Sequence, residues 1–434
     1  MRATADFAAL RSREFARLDR TRTAYLDYAG AALYPESLVR HEARRLSSTV
    51  FGNPHSESGP SLASTAAMER ARQLTLEFVN ADPGDYEVIF TANATGAIRI
   101  LAESFPFARG SRLVLTSDNH NSVNGLRTPA RRAGATVEYV PLAADLRSAS
   151  IEPWLRTARA PSLVAFPAQS NFSGVHHPLA WVAEAQRRGY RVLLDAAAYI
   201  PTSRLDLTAT PADFVALSYY KIFGYPTGVG ALIVRKDASA TLARQYFAGG
   251  TVQFASVQND VARLVDGPGA FEDGTVNFLA MPAVCDGLCW INRLVIDRIA
   301  AHVRAMTSTL LDALRDLGDR VIVYGPRDMH ERGGVVAFNV IRGGRAVPYE
   351  DVEHLARARS VSIRGGCFCN PGAAERAFDI DAASAAACYR DDFSVSRFRR
   401  CLGGSAVGAL RASVGVATEP RDIDRLHDLL IDIP

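Results

Sequence analysis

Short apolar runs separated by polar and small-residue clusters dominate the first two-thirds of this chain. They fall at 87–90, 112–115, 136–140, 162–166, 191–194, 214–217 and 229–234. Continuous rather than alternating hydrophobicity is the mark of strands covered on both faces. Between them lie segments of helical period, predicted at 61–79, from 94 to about 105, and at 122–133, 178–188 and 239–247. Strands alternating with helices predict a mainly parallel sheet with helices on both sides. An opening helix is predicted over 7–20, where Phe7, Leu10, Phe15 and Leu18 share a face. From about residue 290 the rhythm changes. A helix at 290–317 is followed by strands near 321–324 and 334–340, a helix near 349–358, a strand at 361–363 and a last helix from about 420. The expected fold is α/β, with a large unit over 20–290 and a smaller α+β unit made of 1–19 with 291–434. The Ala/Gly/Ser-rich stretch 382–408 is expected to be a loop or lid.

The 434 residues suffice for two or three cores, and 48% hydrophobic with 22% charged residues is a globular composition. A net charge of +3 argues for neither a nucleic acid nor a membrane surface as partner. No apolar run approaches the roughly 18 residues of a membrane span. The N-terminus carries Asp6, Arg11, Arg13, Glu14 and Arg17 and no apolar core of a signal peptide. The six cysteines are few for a disulfide scaffold, so a cytoplasmic setting is expected. Cys367 and Cys369 have a poor spacing for zinc, and no metal is expected.

The polar cluster after 214–217 is where open α/β sheets place ligands. There Lys221 stands among aromatics and glycines in Ser218-Tyr-Tyr-Lys-Ile-Phe-Gly-Tyr-Pro-Thr-Gly228. It is either a solvated cation or a desolvated amine able to form a Schiff base. Asp195 ends an upstream strand. A lysine and a carboxylate so placed fit pyridoxal phosphate (PLP), which needs an amine for its aldehyde and a carboxylate on its pyridinium nitrogen. Asn93-Ala-Thr-Gly96 opens a helix and reads equally as an N-cap or a phosphate site.

Further segments carry a resemblance: Tyr25-Leu-Asp-Tyr-Ala-Gly-Ala-Ala, Asn53-Pro-His-Ser, Asn119-His-Asn-Ser-Val, Gly249-Gly-Thr-Val, Phe271-Glu-Asp-Gly-Thr-Val-Asn-Phe, Gly366-Cys-Phe-Cys-Asn-Pro-Gly-Ala and Gly408-Ala-Leu-Arg-Ala-Ser-Val-Gly. With those above, they make the chain resemble class V aminotransferase-like PLP enzymes. Within these it is similar to the cysteine desulfurases, and most of all to the NifS-like N-terminal domain of molybdenum-cofactor sulfurases. The resemblance implies a fold-type-I PLP transferase, a homodimer with sites at the subunit boundary, L-cysteine as substrate and a sulfur acceptor. It implies that Lys221 forms the Schiff base, Asp195 faces the pyridinium and His120 stacks on the ring and moves protons. Ala94, Thr95 and Ser218 bind the phosphate, and Thr275 reaches it from the neighbouring subunit. Asn171 lies near the ring hydroxyl and substrate, Arg411 grips the α-carboxylate, and Cys369, ahead of Cys367, takes the sulfur.

Ala198, Tyr220 and Ala374 depart from family patterns that have glutamine, histidine and cysteine there. The chain ends at Pro434, and the C-terminal cofactor-binding domain of eukaryotic sulfurases is expected to be absent. Two rival readings remain: a PLP C–S lyase or aminotransferase acting on another amino acid, which needs no Cys369, and a degenerate PLP-fold scaffold.

Overall fold

The computed structural model describes residues 2–389, 392, 394–404 and 406–433. Its centre is a seven-stranded sheet. The strands are β1 (Tyr86–Thr91), β2 (Arg112–Thr116), β3 (Thr136–Val140), β4 (Ser162–Pro167), β5 (Tyr190–Asp195), β6 (Phe214–Ser218) and β7 (Gly230–Arg235). Their spatial order is β1-β7-β6-β5-β4-β2-β3. All neighbours from β6 to β3 pair in parallel, whereas β7 runs antiparallel to both β6 and β1. Successive side chains feed two separate cores. Val88, Val164, Phe166, Leu194 and Val215 face one, and Ile89, Leu163, Ala165, Leu193 and Phe214 face the other. That is why these strands read as unbroken apolar runs.

A second sheet has five strands, with Arg345–Ala346 paired at the side of a path of four. Those four are β8 (Val321–Tyr324), β9 (Val335–Arg342), β10 (Arg364–Gly366) and β11 (Ala409–Ser413), in the antiparallel order β8-β9-β11-β10. Ala24–Tyr25 pairs in parallel with Val361–Ser362, so the chain touches the second unit before it enters the first.

Several expectations are corrected. The helix expected over 290–317 is two, Met281–Leu294 and Ile296–Asp316. Val295 between them has φ 63°, a left-handed value that ends one helix and turns the chain by 71° into the next. The first packs on the long helix Gly59–Phe78, the second on the closing helix Pro420–Ile431. The helix expected at 239–247 is only Lys236–Ser239, and the chain beyond is irregular. There Thr251 closes a turn by exchanging hydrogen bonds with Ala248. The hairpin Val252–Ser256 with Val261–Leu264 was not foreseen, since its strands are largely exposed and lack an apolar run.

The stretch 382–408 is not simply a loop. Helices Ala382–Cys388 and Val395–Cys401 lie within it, capped by Asp381 and Ser394. A disulfide joins Cys388 to Cys401 across them, against the expectation of a chain without disulfides. Arg390, Asp391, Phe393 and Ser405 of this stretch lie outside the described residues, as does the expected C-terminal Pro434.

Candidate active site

The C-terminal ends of the parallel strands open onto a cavity of about 180 Å³. Five backbone segments meet there. Ala94 and Thr95 come from the helix after β1, His120 from the turn after β2, Asn171 from the loop after β4, Asp195 from the tip of β5, and Ser218 and Lys221 from the tip of β6. The sequence placed all seven in one site.

The turn after β1 is built for an anion. Asn93 caps helix Ala94–Ser104 by accepting a hydrogen bond from the Gly96 amide at 3.0 Å. Ser218 Oγ accepts from the Ala94 amide at 2.8 Å, tying the turn to β6. The Thr95 hydroxyl meets that of Ser122 at 2.7 Å. The first-turn amides and the helix dipole favour negative charge at this point. β7 passes directly beneath. A Cβ on Gly230 would stand 2.5 Å from Asn93 Cα, so only glycine lets the turn sit against the sheet.

Lys221 is partly exposed, to the cavity that it lines. Burial pulls its pKa below the usual lysine range, opposed by the carboxylate of Asp195 and assisted by the guanidiniums of Arg411 and Arg364. A lysine so placed has more of the neutral, nucleophilic amine. Asp195 is buried and accepts from the Ala197 amide at 3.0 Å. His120 is held by its Nδ1, which accepts from the Ser122 amide at 3.1 Å. In the neutral ring the proton is therefore on Nε2. Burial lowers its pKa, with Asp195 opposing, so the neutral ring is favoured. Beneath it Asn119 donates to the carbonyls of Thr116 and Ala165, fixing the turn that carries the histidine.

Cys369 and Cys367 are exposed free thiols beyond β10. Phe368 and Cys369 both adopt left-handed backbone, φ 55° and 56°. Surrounding hydrogen bonds hold that conformation. Asn171 Nδ2 donates to Phe368 O at 2.7 Å, and the Asn121 amide donates to Cys369 O at 2.7 Å. Asn370 Nδ2 donates to Asp118 O at 2.7 Å and to Asn171 Oδ1 at 2.9 Å. The thiol-bearing loop is thus tied to the two loops that carry His120 and Asn171.

Arg411 is buried on β11, with its guanidinium stacked 4.7 Å above the centre of the Phe368 ring. It donates to Asn171 O at 3.0 Å and to Asp27 Oδ1 at 3.0 Å. Arg364 also binds Asp27, at 2.7 Å. Sequence reasoning missed Asp27 as a site residue, although it lies within a segment already singled out. Thr275 stands apart. It is exposed and accepts from Asn53 Nδ2 at 3.3 Å, on the wall of a separate cleft of about 980 Å³ with Arg99, Arg244 and Phe271.

The chain's likenesses agree with this arrangement. It is 34% identical over 446 residues to molybdenum cofactor sulfurase 2 of Culex quinquefasciatus, covering 96% of this chain and 57% of that protein. It is 37% identical over 409 residues to the molybdenum cofactor sulfurase of Bos taurus, covering 86% of this chain and 45% of that protein. The chain thus spans about half the length of these curated relatives. Its fold matches the apo structure of a cysteine desulfurase from Thermococcus onnurineus, with a TM-score of 0.81 and 23% identity, over 97% of this chain and 96% of that one. The aminotransferase class-V model matches residues 24–426, a span that takes in both sheets and every residue of the cavity, and the chain belongs to that family.

Proposed function

We propose that this chain is a PLP-dependent cysteine desulfurase that takes sulfur from L-cysteine, leaving L-alanine and a persulfide on Cys369. The observation that carries this reading is the pairing of two features. One cavity gathers Lys221, Asp195 and His120, and the loop bearing the exposed Cys369 is bonded to its walls.

The donor set fits PLP. Lys221 is an amine with a lowered pKa, Asp195 supplies the carboxylate, and the turn carrying Ala94 and Thr95, tied to Ser218 on β6, supplies the phosphate site. Bound there, PLP would supply the electron sink that makes the substrate's α-proton removable. Lys221 would hold the cofactor and, once freed, take up that proton, with neutral His120 beside it. Arg411 orients the α-carboxylate, a task suited to its planar fork. The Cys369 thiolate then forms an S–S bond with the substrate sulfur as the substrate C–S bond breaks.

The relatives' name makes a molybdenum cofactor the acceptor to test first. The exposed side chains of Tyr246, Phe247, Phe254, Val257 and Val261 suit burial in a homodimer. In such a dimer Thr275 could reach its partner's phosphate. The free thiols of Cys285, Cys289, Cys367 and Cys369 suit a cytosolic setting, and the Cys388–Cys401 disulfide weighs against one.

The test compares purified wild type with Cys369→Ala on L-cysteine plus a reductant. Alanine and sulfide from wild type, with sulfide lost in the variant, is the expected result. An unimpaired variant refutes Cys369 as acceptor, and pyruvate with ammonia identifies a lyase instead.

A further inference from the structure

Asp27 is the one carboxylate that joins two arginines at this site. It binds Arg411 through Oδ1 at 3.0 Å, and Arg364 through Nε at 3.0 Å and Nη2 at 2.7 Å. Its position is set by the fold. Tyr25 is paired to Ser362, and Asp27 bridges to Ser413, two residues past Arg411 on the same strand. Gly30 makes room for the group, since a Cβ there would lie 2.5 Å from both Arg364 Nη2 and Asp27 Oδ2. Arg411 keeps one edge unfilled. Its side chain is 3% exposed, yet Nε has no hydrogen-bond partner. A buried guanidinium N–H without an acceptor is costly. The two guanidiniums bring two positive charges and Asp27 removes one.

We propose that Asp27 is a positioning and specificity residue. It leaves the carboxylate subsite with a single net positive charge, matched to amino acids bearing one anionic group. It also fixes Arg411, whose Nη2 donates to it. The inference rests on the proposed use of this cavity for an amino-acid substrate. A substrate with a second anionic group meets the Asp27 carboxylate in a partly desolvated site, where like charges repel far more than in water.

The experiment uses PLP-loaded protein and two probes that carry no thiol, L-serine and L-aspartate, with dissociation constants from calorimetric titration. The expected result for Asp27→Asn is that L-aspartate gains on L-serine by about tenfold or more, the scale of one nearby charge at an effective dielectric near 20. Asp27→Glu, which keeps the charge, should leave the ratio near wild type. An unchanged ratio in Asp27→Asn overturns the proposal. Arg364 is half exposed, so Arg364→Gln is expected to fold, and it tests the same charge balance from the other side. It should weaken L-serine by about tenfold, and undiminished binding again overturns the proposal. Product analysis separates this outcome from the desulfurase reading. Pyruvate from L-cysteine would refute desulfuration while the serine-to-aspartate ratio still decides the role of Asp27. Failure of PLP-loaded wild type to bind either probe would overturn both.

Discussion

Replacing Asn370 by alanine should separate cofactor loading from sulfur transfer. Asn370 is fully buried and its side chain makes three hydrogen bonds: to Asp118 O at 2.7 Å, to Asn171 Oδ1 at 2.9 Å, and from the Ala373 amide at 3.2 Å. The last caps helix Pro371–Ala377. At about 1 kcal/mol net per bond, the loss is about 3 kcal/mol. About 1 kcal/mol is returned if Cys369 alone relaxes from left-handed backbone, the low end of the roughly 1–2 kcal/mol per residue that it costs. A net destabilisation of about 2 kcal/mol is therefore expected, small enough against a typical 5–15 kcal/mol for the variant to stay folded. Urea unfolding of the loaded protein should show a lower midpoint with an unchanged slope. None of the three bonds touches Lys221 or Asp195, so the absorbance of lysine-bound PLP should persist. Sulfide release should fall by about tenfold or more, because a thiol no longer fixed at the rim loses its favourable orientation. A variant with wild-type sulfide release and less than about 0.5 kcal/mol of lost stability would refute the view that this network holds the thiol loop.

Two predictions concern the scaffold. Arg72 and Glu272 form a buried fork-to-fork pair, both bonds 2.8 Å, and Glu272 also accepts from the Phe90 amide at 2.7 Å. Glu272→Ala should cost about 3–5 kcal/mol in urea unfolding, and Arg72→Met with Glu272→Leu should recover most of it; a loss below about 1 kcal/mol contradicts a structural role. His302 stacks on Phe7 at 4.3 Å, and burial pushes its pKa down to about 4 from an ordinary 6.5. The unfolded chain binds the proton more tightly, so stability falls as pH drops from about 6.5 to 4, by about 3 kcal/mol for this group. His302→Phe should flatten that part of the stability profile relative to wild type, and identical profiles would show that the buried ring titrates normally.

The sequence by itself determined the strands of the large sheet and the identity of several cavity residues. Burial on both faces writes itself into a strand as an unbroken apolar run, and a strand that ends in polar residues shows where ligands gather. Lys221, Asp195 and the Asn93–Gly96 turn were legible for that reason, and resemblance supplied their roles and added His120. Where local signals misled, a single backbone angle or a tertiary contact was responsible. The apolar pattern from 281 to 316 continues through Val295, and only its φ of 63° shows that two helices are present. The capping residues Asp381 and Ser394 lay in a stretch whose composition resembles a loop, and nothing in the spacing of Cys388 and Cys401 revealed their pairing. Tertiary structure alone decided the ion pairs. Asp27 meets Arg364 and Arg411 across separations of 337 and 384 residues, and Arg72 meets Glu272 across 200. Periodicity reports which side of an element is buried. It says nothing of which charge lies opposite, because that depends on how two sheets and their connecting loops pack in space.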